Sequence, residues 1–167
     1  MTIELEQHID PRLVSILEKI SDPEIPVLSI MDMGVVRYAE IVNDVAQIKI
    51  TPTYSGCPAM DVIGEDIVAA FKKEGIQAKV DLVLAPAWTT DWITPKGRMA
   101  LEKYGIAAPL DEEADKEALL GHKKIVKCPQ CGSTNTKMIS QFGSTACKAL
   151  FKCDDCLEPF DYFKCLK

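Results

Sequence analysis

Apolar positions along the N-terminal part of the chain follow two alternating periods. Leu13, Ile16, Leu17 and Ile20 recur at i, i+3, i+4 and i+7, which lines one face of an α-helix. Asp10 and Pro11 precede this stripe as cap and first-turn residues. The two prolines of Asp22-Pro23-Glu24-Ile25-Pro26 end it, because proline cannot continue a helix. A strand is predicted over residues 35–42, a turn at Asn43-Asp44, and a returning strand over residues 45–51 with Ile48 and Ile50 on one face. After the loop Thr53-Tyr54-Ser55-Gly56-Cys57-Pro58, the stripe Met60, Ile63, Ile67 and Phe71 predicts a second helix that closes near Gly75. Val80, Leu82 and Leu84 predict a third strand. Thr94-Pro95 caps a third helix that stops at Gly105. The order α-β-β-α-β-α, with few crossover units, predicts an α+β fold, a two-layer sandwich over residues 1–106.

The pattern then changes. Residues 107–123 are acidic and alanine-rich, and read as a linker with one helical turn at most. Residues 124–167 show short strand patterns at 137–141, 148–152 and 160–164. Forty-odd residues are too few for an independent apolar core, so this module needs another source of folding energy.

Cysteine supplies it. Cys128-Pro129-Gln130-Cys131 and Cys153-Asp154-Asp155-Cys156 form two C-x2-C pairs. This spacing lets four thiolates converge on one tetrahedral ion. The chain holds seven cysteines. It has no apolar run long enough to cross a membrane, and its acidic N-terminus lacks the basic and apolar regions of a signal peptide. Both features predict a cytosolic protein, where thiols serve metals more often than disulfides. Structural zinc at Cys128, Cys131, Cys153 and Cys156 is the expectation, giving a zinc-ribbon-like β module. A single rubredoxin-like iron suits the same spacing.

Charge narrows the partners. Residues 1–121 carry 11 Lys/Arg against 21 Asp/Glu, and residues 122–167 carry 8 against 4. An acidic body with a mildly basic tail argues against wrapping a nucleic-acid backbone.

Cys57 is the reactive candidate in the larger domain. Pro58 follows it and a helical stripe begins at once, so the expected place of Cys57 is the helix N-cap, where the helix dipole favours a thiolate. A small buried apolar role is the alternative. Asp22 and Glu24 are held in a proline-fixed turn. They suit a hard metal ion or serve only the turn. Trp88 and Trp92 lie in a loop after a strand, either as partner-docking anchors or as a cover for the core. His8 and His122 have no ligand-like neighbour in sequence; Cys147 and Cys165 suit the core, with Cys147 also close enough in sequence to be a swap ligand of the quartet. No Ser/His/Asp set, phosphate-cradling glycine loop or H-E-x-x-H is present. With two histidines in the chain, acid–base catalysis has few candidates.

Several motifs together resemble a known family. Asp22-Pro23-Glu24-Ile25-Pro26-Val27, Asp32-Met33-Gly34-Val35-Val36 and Thr51-Pro52-Thr53-Tyr54-Ser55-Gly56-Cys57-Pro58 resemble iron–sulfur assembly factors of the SufT and cytosolic targeting type. With Pro86-Ala87-Trp88-Thr89-Thr90-Asp91-Trp92-Ile93, the end Gly105-Ile106-Ala107-Ala108-Pro109, and the tail from Cys128 through Phe142-Gly143-Ser144-Thr145-Ala146-Cys147-Lys148, the whole resembles the PaaD family of bacterial phenylacetyl-CoA epoxidase systems. Met33 stands where leucine is commoner in that family, a swap that conserves volume.

The resemblance implies a maturation or maintenance role for an iron–sulfur or iron centre in aerobic phenylacetate degradation. The epoxidase components would be its partners, above all the iron–sulfur flavoprotein reductase, and a homodimer is compatible with it. Cys57, Asp22 and Glu24 match the family's reactive cysteine and acidic turn, which implies transient binding of iron or an iron–sulfur cluster. The alternative is a rubredoxin-like electron carrier of the same system.

Overall fold

The computed structural model describes residues 7–164, and the chain divides into two units between Trp88 and Thr89. In the first unit, β1 (His8–Ile9) leads into α1 (Pro11–Leu17). The Asp10 side chain accepts the Arg12 amide, and Pro11 occupies the first turn. Next come β2 (Ser21–Asp22), β3 (Ile25–Ser29), β4 (Val36–Val42), β5 (Val45–Ile50), α2 (Ala59–Lys73) and β6 (Gln77–Leu82). The main sheet has the order β1-β4-β5-β6. Strands β4 and β5 are antiparallel. They join through Asn43 and Asp44, both at positive φ (51° and 63°), as a two-residue hairpin whose turn matches strand twist requires. β6 returns parallel to β5 after α2.

The core follows from the periods. Ala46, Ile48 and Ile50 alternate inward on β5, and Ile63, Ile67 and Phe71 face inward from α2. Burying each of the large aliphatic or aromatic side chains contributes about 2 kcal/mol before entropy is counted. Leu13 and Leu17 bring α1 into the same layer.

The α+β sandwich expected from the sequence is therefore present, with two additions. β1 is two residues long, too short for any periodicity to show. The 22–26 segment does more than stop a helix. It forms a β2–β3 hairpin with a register shift at Ser21/Asp22, in which Pro26 takes an exposed position, as proline does on short edge strands.

The second unit contains a 3₁₀ turn at Thr90–Trp92, α3 (Pro95–Tyr104), β7 (Ile106–Ala107), α4 (Glu112–Leu119), β8 (Thr136–Ser140), β9 (Lys148–Cys153) and β10 (Pro159–Phe163). Its sheet runs β7-β10-β9-β8. Here the sequence-based domain limits require correction. The expected boundary at 106 and the linker at 107–123 are replaced by structure that belongs to the ribbon unit. β7 pairs in parallel with β10. α4 is capped by Asp111, whose side chain accepts the Ala114 amide, and it buries Ala118 against Val126, Phe151 and Tyr162. The Tyr162 hydroxyl donates to Asp115 (2.5 Å), while the Arg98 guanidinium donates to the Pro109 and Thr90 carbonyls (2.6 and 2.7 Å). The physical reason is the shortage of apolar surface in the ribbon. The preceding segment covers the core that the three ribbon strands cannot close alone. No helix among the described residues is long and apolar enough to cross a membrane.

Candidate metal-handling sites

Cys57 closes the loop that leaves β5. The Thr51 amide donates to the Val35 carbonyl (2.8 Å) and the Cys57 amide to the Tyr54 carbonyl (3.3 Å). Gly56 sits at φ 81°, a left-handed conformation that glycine adopts without strain. α2 begins at Ala59 with Pro58 as its cap residue and no side-chain cap bond. Cys57, expected at the N-cap, thus stands one residue ahead of it, and its thiol is half-buried.

The expectation of an ionised sulfur is also corrected. Burial is the largest influence, and with the charges of Glu24 and Asp22 it holds the Cys57 thiol above its ordinary value. The Ala59 amide and the Tyr54 side chain pull the other way but do not prevail. Without a bound cation, the site is a protonated thiol beside two carboxylates. A cation in this field would favour the thiolate by offsetting the two carboxylate charges.

The acidic turn is held by its own backbone. Asp22 is buried, and its Oδ1 accepts the Glu24 amide (2.7 Å) and the Ile25 amide (3.0 Å). The turn-building role of Asp22 is therefore present. Asp22 shapes the hairpin, and that shape sets half-buried Glu24 in the electrostatic field of Cys57. Sequence reasoning passed over Tyr54 as a partner of the sulfur. Its position three residues before Cys57 in the same loop was the available signal.

Trp88 is only 3% exposed, and its indole Nε1–H donates to the Met33 carbonyl (3.0 Å). The docking role expected of it is corrected to a core role. Its ring is the apolar cover, and its single donor is satisfied internally. Trp92 belongs to the other unit and is half-buried. With Trp88 enclosed, the pair offers no shared aromatic anchor.

In the second unit the four sulfurs of Cys128, Cys131, Cys153 and Cys156 all lie within 4.8 Å of one another. The Cys128–Cys156 and Cys131–Cys153 Sγ separations are 3.6 Å. A tetrahedron with metal–sulfur bonds of ~2.3 Å has edges of about 3.8 Å, so the quartet fits one tetrathiolate ion and is far too open for disulfides. Gly132 at φ 74° turns the first knuckle, and the Cys156 amide donates to Cys153 Sγ (3.5 Å). That amide, ahead of the other influences, lowers the Cys153 thiol to about 7. The charge-stabilising N–H groups of the knuckle thus favour the ligating form. Among the described residues only this quartet brings metal-ligand atoms so close together. Cys57, Glu24 and Asp22 are electrostatic neighbours without the same convergence.

Cys147 is buried beside the Thr145 hydroxyl (3.1 Å), as its core assignment requires, and Cys165 lies outside the described residues. His122 pairs with Glu117 on the surface (3.8 Å) and His8 stacks at a tilt on Tyr38. Neither belongs to the quartet.

Comparison with known proteins divides the chain along similar lines. Residues 12–83 match the family described as "Iron-sulfur cluster assembly protein", and residues 112–164 match the "PaaD zinc beta ribbon domain". A protein of Escherichia coli (strain K12), named as a putative component of 1,2-phenylacetyl-CoA epoxidase, is 48% identical over 153 residues, covering 91% of this chain and 90% of that protein. A "Fe-S protein maturation auxiliary factor" of Porphyromonas gingivalis (strain ATCC BAA-308 / W83) is 31% identical over 94 residues, 53% of this chain and 87% of that one. The crystal structure of a domain of unknown function, DUF59, from Bacillus anthracis has a TM-score of 0.50 at 26% identity, covering 54% of this chain and 88% of that chain. An iron–sulfur assembly unit and a PaaD zinc ribbon on one chain, with near full-length identity to the Escherichia coli protein, show that the chain belongs to the PaaD family of phenylacetyl-CoA epoxidase components.

Proposed function

We propose that this protein is a cytoplasmic accessory factor that assembles or maintains an iron–sulfur or iron centre of a phenylacetyl-CoA epoxidase system, and that it is not itself a catalyst. The observation that carries this reading is the half-buried Cys57 thiol placed in the field of Glu24 and Asp22. One sulfur with flanking carboxylates is a mixed soft and hard donor set suited to ferrous iron. A single thiol, not part of a closed tetrahedron, binds weakly enough to release its cargo. Iron or a cluster is the cargo at this site. The resident metal is one structural zinc at Cys128, Cys131, Cys153 and Cys156. The maturation factors among the relatives support the first assignment, and the ribbon family supports the second. The client is the iron–sulfur flavoprotein reductase of the system.

The test is metal analysis of anaerobically purified protein, with reductase cluster content measured in cells carrying only Cys57→Ala. The expected result is reductase without its cluster and an unchanged single zinc per chain. Fully loaded reductase in that strain would refute the delivery role. Iron in the quartet with a reversible redox wave would favour an electron carrier.

A further inference from the structure

We propose that a basic pocket in the second unit, between the C-terminal end of α4 and β8, receives one large apolar side chain from an acidic segment of a partner protein. The pocket has a volume of about 250 Å³. That is below the roughly 300–1,000 Å³ of small-molecule and cofactor sites. It is room enough for a single anchoring side chain, the kind that dominates the energetics of protein interfaces. Val126, Met138 and Phe151 line its apolar part, and Lys123, Lys124 and Lys137 its polar part. No carboxylate is among the described residues that line it. Leu120, on the same rim, is 66% exposed.

The charges select the occupant. Lys137 pairs with Asp154 (2.9 Å). Lys123 lies 3.9 Å from Glu117, a carboxylate that His122 shares. Lys124 differs, because it donates to the neutral Asn135 side chain (2.9 Å). Asn135 in turn donates to Asp155 (2.8 Å), so the ammonium acts on that carboxylate without contacting it. This network holds the Lys124 charge at the rim, where an acidic segment supplies a direct counter-charge. The same pocket of a second copy brings the same lysines and is repelled.

Two other modes of contact fit less well. β8 is the last strand of its sheet, but Lys137 and the register shift between Met138 and Ser140 blunt that edge against strand pairing. The contact is therefore made through the pocket. Phe151 is only 3% exposed, so the pocket offers no open ring face on which a nucleic-acid base could stack. With residues 1–121 strongly acidic, a protein segment is favoured over a polynucleotide. The pocket belongs to the second unit alone and is independent of metal delivery by Cys57.

The test is a nuclear magnetic resonance titration of isotope-labelled full-length protein, followed through its backbone amides. Three synthetic peptides serve as probes. The first has one phenylalanine between acidic residues, the second has alanine for the phenylalanine, and the third has lysines for the acids. The expected result is saturable shifts within residues 119–126 and 136–138 on adding the first peptide, with the other two bound roughly tenfold more weakly or worse. Lys124→Glu and Leu120→Glu, both at exposed positions, should each weaken binding of the first peptide about tenfold. Lys124→Glu should also gain affinity for the lysine peptide. Unchanged near-ultraviolet circular dichroism of the Phe151, Phe160 and Tyr162 rings keeps folding out of the comparison. Amides of the pocket that do not move with the first peptide overturn the proposal, as do equal affinities for all three peptides or a Lys124→Glu variant that binds them as the unsubstituted protein does. A single-stranded oligonucleotide that shifts the same amides at lower concentration than the first peptide also overturns it, assigning the pocket to a nucleic acid.

Discussion

Asp22 is the residue at which turn-building and site chemistry can be separated, because two substitutions divide its roles. Its carboxylate is buried and accepts two backbone amides, from Glu24 at 2.7 Å and Ile25 at 3.0 Å. Hydrogen bonds to a charged acceptor are worth about 1.5–3 kcal/mol each before the amides find water, and Ile25 is itself fully buried, so its amide finds little. Asp22→Ala should therefore cost the first unit about 2–4 kcal/mol. Asp22→Asn keeps an oxygen in the same position and should cost about 1 kcal/mol, the loss of the charge-assisted part. Asparagine nevertheless removes one of the two charges that hold the Cys57 proton. Its thiol should become more acidic and alkylate faster at neutral pH.

A single two-state fit is unsafe for a chain of two units. Urea unfolding should be followed through Trp88, which lies in the first unit, in a Trp92→Phe background. Alkylation by iodoacetamide is read on the same samples by mass spectrometry of the Cys57 peptide. The turn-and-field account predicts that the two readouts separate, with alanine costing more stability than asparagine while asparagine already suffices for faster alkylation. An asparagine variant as unstable as the alanine one, with unchanged alkylation, would refute it.

Two further outcomes follow from the same structure. The Cys57 thiol is raised by burial and then by Glu24 and Asp22, so its alkylation rate should climb only at a pH above that of an ordinary exposed cysteine. Glu24→Gln should move that climb to lower pH, and a wild-type midpoint below neutral would contradict the assigned burial and charges. Stripping the quartet with a strong chelator should abolish the near-ultraviolet signal of the packed Phe151, Phe160 and Tyr162 rings, since a structural zinc contributes on the order of 10 kcal/mol to such a fold. An unchanged aromatic spectrum after complete metal loss would show that the second unit stands on its apolar core alone.

What the sequence could disclose depended on how local the cause was. The α2 stripe and the Asn43-Asp44 hairpin are set by neighbours a few residues apart, and both appear where the pattern put them. The four-cysteine site is equally legible, because the C-x2-C spacing carries its own geometry. The protonation of Cys57 was not legible. The signal at hand was the following proline, which speaks of helix capping. The deciding influences are burial in the folded unit and Glu24, which belongs to a hairpin more than thirty residues earlier.

The segment read as a linker failed for the same reason. An acidic stretch such as Glu112-Glu113-Ala114-Asp115 looks solvated until Tyr162, 47 residues away, supplies Asp115 with a buried hydroxyl. Burial then holds the Tyr162 proton in place, with the Asp115 charge adding to it, and the pair anchors α4 on the ribbon. A buried carboxylate with a protonated tyrosine as its donor stabilises only when both partners are present. Such a pair is invisible to any reading confined to a window of one helix. The compact unit that holds the ribbon therefore begins near residue 89 rather than at its first cysteine. A tail cut at residue 124 would lack the helix that closes its core.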